Sequence, residues 1–366
     1  MGEQAKIPMV DVARQFEMVQ REASSAVMDV LASGNYILGG VVASFESAIA
    51  SYLGVNEAVG VASGTDALYL ALKALLVGPG DEVVTTPFTF IATAEAAANL
   101  GAVPRFVDIQ EDTFNIDPEL LGGAVTGRTK AVIAVHLFGH PADVKGCASF
   151  CSERGLPLIE DCAQSLGAEV SGRKAGSFGS ASAFSFFPSK NLGAAGDAGM
   201  VCTDDEVVAA KVRTLRAHGS SKKYYHEAIG VNSRLDAVQA AFLEVKLARL
   251  DEWNRERANI AGCYDTHLEG VKTPPVRAGY THSYHQYTIR SAHRDDIARS
   301  LADDGIASAV YYPVPLHLQP CFAGLGYHQG DFPVAEKASH EVLSLPIFPG
   351  MTPDEQERVC AAVNRV

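Results

Sequence analysis

The chain has 366 residues, 47% of them hydrophobic and 20% charged, with a formal net charge of −13. That length exceeds what one hydrophobic core usually supports and predicts two domains of an ordinary globular enzyme. The negative balance argues against nucleic acid or an anionic membrane as a general partner, though not against a small anion held in a locally positive pocket.

Residues 1–10 lack the basic-then-apolar pattern of a signal peptide. No uninterrupted apolar run is long enough to span a bilayer. The seven cysteines, at 147, 151, 162, 202, 263, 321 and 360, are odd in number and scattered, which predicts reduced, buried thiols in a cytoplasmic protein. Cys147 and Cys151 fit one helix face, but no paired Cys/His set completes a zinc site, so no metal is expected.

In chain order, Val10 to Ala32 reads as a helix, broken by Ser33-Gly34-Asn35 through Gly39-Gly40, and Phe45 to Leu53 resumes the helical pattern. An alternation of short strands and helices follows. Strands are predicted at Ala58–Ala62, Glu82–Thr86, Pro104–Val107, Ala131–His136 and Pro157–Glu160. Helices are predicted at Asp66–Leu76, Ile91–Leu100 and Val144–Arg154, with a short one opening at Pro118. This pattern argues for a mostly parallel sheet covered by helices on both faces, an α/β fold. Strands at Ala181–Phe186 and Gly199–Thr203 and a helix at Glu206–Ala217 close the first domain. Leu235 to His267 reads as one long helical stretch. Then come a strand at Tyr284–Arg290, a helix at Asp295–Gly305, a strand at Ala307–Tyr312, and helices at Val334–Leu343 and Pro353–Asn364. The expected division is a large domain over residues 1–245 and a smaller α+β domain over residues 246–366.

Open α/β sheets bind ligands at the carboxyl ends of their strands, and three segments meet that test. In Ala62-Ser63-Gly64-Thr65-Asp66 a strand ends, a glycine turns the chain and a helix begins, so free amides and the helix dipole can hold an anion. The same pattern also serves as a plain helix cap. In Leu158-Ile159-Glu160-Asp161 an apolar strand ends in two carboxylates. A buried Asp161 needs a partner, and a protonated pyridine nitrogen is one; a capping or salt-bridged aspartate is the other reading. In Ser185-Phe186-Phe187-Pro188-Ser189-Lys190-Asn191-Leu192-Gly193 a lysine stands in a tight, glycine-bounded loop after an apolar strand. A desolvated ammonium there loses its proton readily and becomes an amine nucleophile able to hold an aldehyde as a Schiff base. An anion cradle, a ring-nitrogen carboxylate and such a lysine, in that order, fit pyridoxal 5'-phosphate.

Five motifs extend the argument: Gly60-Val61-Ala62-Ser63-Gly64-Thr65-Asp66-Ala67-Leu68, Thr86-Pro87-Phe88-Thr89-Phe90, Glu160-Asp161-Cys162-Ala163-Gln164, Pro188-Ser189-Lys190-Asn191-Leu192-Gly193 and Gly230-Val231-Asn232-Ser233-Arg234-Leu235-Asp236. On these the chain resembles the DegT/StrS family of sugar-nucleotide aminotransferases, within fold type I (aspartate-aminotransferase-like) of pyridoxal-phosphate enzymes, over nearly its whole length. The resemblance implies that Lys190 carries the cofactor aldehyde and Asp161 holds the pyridine nitrogen. It places Gln164 near the phenolic oxygen, Gly64, Thr65 and Ser185 on the phosphate, and Phe90 on the ring face. Asn232 would reach the phosphate of a neighbouring subunit's cofactor, giving a homodimer with shared active sites. Tyr224, Arg234 and His317 would lie toward the sugar; Tyr224 and Tyr225 read equally as surface-loop aromatics.

The implied reaction moves an amino group from L-glutamate, through pyridoxamine phosphate, to a nucleotide-linked keto sugar. The stretch from His218 to Arg234 is most similar to members that aminate C3 of a dTDP-linked 3-keto-6-deoxyhexose. UDP-linked substrates, amination at C4, and a sugar dehydratase stay open as alternatives. Dehydratase relatives replace the lysine with histidine, and Lys190 is present here.

Overall fold

The computed structural model describes residues 5–366. Three helices open the chain: α1 (Val12–Glu17), α2 (Gln20–Ser33) and α3 (Gly40–Leu53). The alternation then runs β1 (Glu57–Val61), α4 (Gly64–Ala74), β2 (Glu82–Thr85), α5 (Ala92–Ala98), β3 (Val103–Phe106), α6 (Leu121–Ala124), β4 (Thr129–Val135), α7 (Val144–Glu153) and β5 (Leu158–Asp161). A two-residue-per-strand hairpin, β6 (Glu169–Val170) and β7 (Arg173–Lys174), precedes β8 (Ala181–Ser185), β9 (Gly199–Thr203) and α8 (Glu206–Leu215). The remainder is α9 (Ala237–Leu247), α10 (Leu250–His267), β10 (Tyr287–Arg290), α11 (Arg294–Asp303), α12 (Pro333–Glu341), β11 (Val342–Leu345) and α13 (Pro353–Val363). No helix among the described residues is long and apolar enough to cross a membrane.

The main sheet has seven strands in the order β1-β9-β8-β5-β4-β2-β3. Strands β8, β5, β4, β2 and β3 pair in parallel, while β9 runs antiparallel between β8 and β1. Its strands are apolar on both sides because helices cover both faces. On one face Ile133, Ile159, Ala183 and Val201 pack under Leu68 and Leu72 of α4 and Val212 of α8. On the other, Phe184 and Met200 meet Phe45 and Ile49 of α3 and Leu243 of α9, while Val132, Ala134 and Leu158 meet Cys147 and Cys151 of α7. The alternation of side chains along β5 therefore sends Glu160 and Asp161 to opposite faces.

A separate hydrophobic cluster joins α10, β10, α11, β11 and α13 through Tyr264, Ile289, Leu301, Leu343 and Val359. The chain's start belongs to it: Ile7 is buried there and bridges Ile306. Arg14 of α1 makes a two-pronged bond to Glu355 of α13, at 2.8 and 2.9 Å.

Five elements differ from the sequence-based expectation. The first helix is two, α1 and α2, separated at Met18–Val19. The long stretch from Leu235 to His267 is also two helices, parted at Ala248–Arg249, because α9 packs on the sheet side while α10 turns into the C-terminal cluster. Ala307–Tyr312 is not a strand and makes one bridge, Ala309 to Ser344. The partner of β10 is instead Val342–Leu345, whose first two residues fall in the helix expected over Val334–Leu343; burial of all four residues against β10 overrides that helical spacing. The β6–β7 hairpin was not foreseen, although Ser171-Gly172 carries its signal: both turn residues have positive φ, 52° and 78°.

Candidate active site

A cavity of about 640 Å³ opens at the carboxyl ends of β5 and β8, beside the start of α4. Gly64, Thr65, Phe90, Asp161, Gln164, Ser185 and Lys190 all line it. Residues up to 126 positions apart in sequence therefore meet because the parallel strands that carry them end at one rim.

The start of α4 is built for an anion. Ser63 caps the helix, its hydroxyl accepting from the Asp66 amide at 3.1 Å and its carbonyl from the Ala67 amide at 3.0 Å. The amides of Gly64 and Thr65 come before the first intrahelical bond and so have no acceptor within the helix. Gly64 leaves no room for a side chain: a Cβ there would sit 2.6 Å from the Ser185 Cβ. That close approach brings the Ser185 hydroxyl to the same helix end. Ser233 braces the turn from outside, donating to Asp66 Oδ2 at 2.7 Å and accepting from the Ala62 amide at 3.1 Å.

Asp161 is buried. Its Oδ2 accepts from the Thr93 hydroxyl at 2.7 Å and its Oδ1 from the Ala163 amide at 3.2 Å. Among the described residues no cation lies within ion-pair distance of it. Burial pushes its carboxyl above the ordinary aspartate range, against those two bonds and the attraction of Lys190. Lys190 stands on a loop closed by Lys190 N–H to Phe187 O (2.8 Å) and Ala194 N–H to Phe186 O (2.7 Å). Gly193 is required by that tightness, since a Cβ there would lie 2.2 Å from the Pro188 carbonyl oxygen. Desolvation brings the Lys190 ammonium down to about 8, with Asp161 pulling the other way. Gln164 accepts from the Phe138 amide at 2.6 Å and donates to the Tyr312 hydroxyl at 3.1 Å. Phe90 keeps 56% of its surface exposed, with its ring 6.2 Å from that of Tyr312.

The remaining sequence-predicted residues do not line the cavity. Asn232 is exposed, one residue from the Ser233 brace, and Tyr224 is 82% exposed in a segment, 221–229, that is exposed throughout. Arg234 is half-buried beside them. His317, expected to approach a sugar, is instead buried: its Nε2 donates to Glu336 of α12 at 3.0 Å and its ring packs on Phe332 at 4.8 Å. Its proline-flanked turn is tied inward by the Leu316 amide bonding to the Pro87 carbonyl at 2.7 Å.

Other residues in the lining were not foreseen, among them Thr93, Asp197, His285, Gln286, Tyr311 and Tyr312. Thr93 sits one helical turn beyond Phe90, which was a usable signal. His285 and Tyr312 come from the C-terminal part, and no local pattern tied them to Lys190. Burial, with Lys190 and Arg257 nearby, holds His285 neutral.

His136, Glu160 and Cys162 also gather within 4.8 Å on the opposite face of the sheet. Their donors are engaged already. His136 Nδ1 accepts from the Ala142 amide, so its Nε2 donates to Glu160, which also takes the amides of Gly176, Phe178 and Gly179. This network anchors the loop before β8.

A buried carboxylate without a counter-ion, a readily deprotonated amine and an amide-lined anion cradle around one cavity are a donor set that fits pyridoxal phosphate. Comparison with known proteins agrees. Residues 17–364 match the model of the DegT/DnrJ/EryC1/StrS aminotransferase family. A pleiotropic regulatory protein of Geobacillus stearothermophilus is 48% identical over 358 residues, covering 96% of each chain. The UDP-N-acetyl-3-dehydro-alpha-D-glucosamine 3-aminotransferase of Acidithiobacillus ferrooxidans is 45% identical, covering 100% of this chain and 99% of its own. The crystal structure of S. venezuelae DesV in complex with a ketimine intermediate superposes with a TM-score of 0.96 at 42% identity, over 99% of this chain and 98% of that one. Further relatives are named for dTDP-linked sugars aminated at position 3, and similar solved structures carry the cofactor in its pyridoxal or pyridoxamine form.

Proposed function

This chain belongs to the DegT/DnrJ/EryC1/StrS aminotransferase family, and we propose that it moves an amino group from L-glutamate to C3 of a nucleotide-linked 3-keto-6-deoxyhexose, with dTDP as the nucleotide. The observation that carries this reading is the placement of Lys190 and Asp161 at one cavity, an amine near pKa 8 and a buried carboxylate without a cation. A purely regulatory role has no need of such an amine.

Bound here, pyridoxal phosphate supplies an aldehyde that captures amines and a ring that draws electrons from the neighbouring carbon. The amides of Gly64 and Thr65 and the hydroxyl of Ser185 would hold the cofactor's phosphate. Asp161, braced by Thr93 and Ala163, would keep the ring nitrogen protonated. Phe90 would pack on the ring, and Gln164, fixed by Phe138 and Tyr312, would bind the phenolic oxygen. Lys190 Nζ would serve as the base that takes the donor's α-proton and the acid that gives it back, and an amine near pKa 8 can do both at neutral pH. Phe90, Phe187, Tyr311 and Tyr312 give the cavity aromatic walls.

The cavity's own charges are one lysine and two carboxylates, Asp161 and Asp197. Phosphate, dicarboxylate donor and sugar diphosphate are all anionic, so more cations are needed. A second copy can bring them: Lys222 and Lys223 are exposed beside Tyr224, and Arg234 follows Asn232. We therefore read the functional unit as a homodimer in which Asn232 reaches the other subunit's phosphate. Mixing Lys190→Ala with Asn232→Ala protein under subunit exchange regenerates one intact site per heterodimer; parental activity after confirmed exchange would place Asn232 at its own chain's site.

The reaction is tested with a panel of dTDP- and UDP-linked 3-keto and 4-keto sugars and glutamate. The expected products are the 3-amino sugar and 2-oxoglutarate. A deoxygenated sugar without 2-oxoglutarate would mean a dehydratase, and turnover confined to UDP-linked substrates would replace the nucleotide.

A further inference from the structure

Lys190 stands on a short loop, and the residue after it reaches across the molecule. Asn191 is buried, and its Nδ2 donates to Asn254 Oδ1 and to the Ser283 carbonyl, both at 2.7 Å. Asn254, on α10, donates onward to the Leu166 carbonyl at 3.1 Å, in the turn that follows Asp161 and Gln164. Ser283 donates its own amide to the Gly139 carbonyl at 3.0 Å, and its hydroxyl lies 3.3 Å from the Gln164 carbonyl. Two residues on, His285 and Gln286 enter the cavity lining. Among the described residues the Asn191 Oδ1 has no partner, so the side chain is held through its nitrogen. At the loop's far end the buried Lys246 of α9 donates to the Gly193 carbonyl.

We propose that Asn191 and Asn254 form a clamp that positions Lys190 against Asp161, tying the lysine loop, the turn after β5 and the 283–286 segment into one rigid unit. The two asparagines touch no reacting atom; they act by fixing where the lysine amine can reach and by keeping water from its base. The inference rests on the reading of Lys190 as the reacting amine. The groups facing that amine are Asp161 from β5, the neutral His285, and Asp197 across the cavity. None of them is removed when the clamp is cut, so a shift in the lysine's titration reports how the amine, these groups and water are placed around one another.

The test uses the full chain without cofactor, so it does not depend on turnover. Lys190 is labelled with fluorodinitrobenzene across a pH series and quantified by peptide mass spectrometry. The wild-type midpoint is expected at about 8. In Asn254→Ala it should rise by roughly 0.5 unit or more as water reaches the amine, and Asn191→Ala should give the same shift. The double variant should shift by less than the sum of the two, because the Asn191–Asn254 bond is lost in each. With cofactor restored, kcat should fall about tenfold or more while the KM for glutamate stays within about twofold, the pattern of a misplaced reacting group. Asn191→Ala alone carries the test if Asn254→Ala does not fold. Unchanged midpoints in correctly folded variants, or shifts that add in the double variant, overturn the clamp. Absence of transaminase activity in the wild type with these shifts intact would overturn the proposed reaction and leave the clamp standing.

Discussion

Replacing Asp161 by asparagine should stabilise the protein without cofactor while disabling the enzyme. Asp161 is only 5% exposed and receives two hydrogen bonds, from Thr93 and Ala163. Burying an ion without a paired counter-ion costs several kcal/mol in real proteins, and hydrogen bonds to a charged group return about 1.5–3 kcal/mol each. Two such bonds return about 3–6 kcal/mol, yet the raised carboxyl shows that burial still outweighs them, leaving a net penalty on the charged form on the order of 1–2 kcal/mol. An amide keeps both contacts, because the Thr93 hydroxyl also lies 3.2 Å from that of Thr89 and can turn to donate there. Removing the charge therefore recovers on the order of 1–2 kcal/mol, or a rise in Tm of about 1–5 °C for a chain of this size.

The sign with pH is fixed by the raised carboxyl. Below the unfolded-state value the aspartate is protonated in both states and the penalty is absent. It grows as pH rises through the folded-state value and is complete only above it, so the variant's advantage should be larger at pH 8 than in acid and shrink as pH falls. Thermal melts of the cofactor-free proteins across that range are the assay. The same variant, loaded and assayed with both substrates, should lose on the order of 100-fold or more in kcat, as when a charge stabiliser is removed from an active site. A melting point at pH 8 equal to or below wild type would refute the picture of Asp161 as an unpaired buried charge kept for catalysis.

Borohydride reduction of the loaded enzyme and peptide mapping should find the cofactor on Lys190. The informative control is Lys246, whose ammonium burial brings down to about 7 but whose amine faces the Gly193 carbonyl and the rings of Phe242 and Trp253, not the cavity; an adduct there would reassign the site. Gly64→Ala should force α4 and the end of β8 apart, since its Cβ would lie 3.1 Å from the Ser185 Cα as well. It should cost about 1–3 kcal/mol of stability and weaken cofactor binding about tenfold or more by equilibrium dialysis; unchanged affinity would remove Gly64 and Ser185 from the phosphate site. Glu355, held down to about 2 by its bonds to Arg14, clasps α1 to α13. Glu355→Gln should lower the melting point at pH 7. The wild-type advantage should wane as pH falls below the ordinary glutamate value toward 2, and a gap that stays constant to pH 3 would assign the effect to packing.

The strand-and-helix alternation through Asp161, the glycine that turns the chain at Gly64, the carboxylate at the end of β5 and the lysine loop were all legible in the linear chain. Each is a local matter: hydrophobic periodicity, a turn that admits no side chain, or a charged residue abutting an apolar run. Those signals also carried the family resemblance. The chain alone did not tell that Val342–Leu345 would pair with β10 or that His317 would turn inward to Glu336, since both depend on partners outside the local pattern. Nor did it tell that Tyr312 would brace Gln164 from 148 residues away, or that Asn191 would be gripped by Asn254 and Ser283. The ionisation of Lys190 and Asp161 belongs with these. A lysine's spacing can mark it as unusual, but its pKa is set by what surrounds it and how much water remains, and those are properties of the packed cavity.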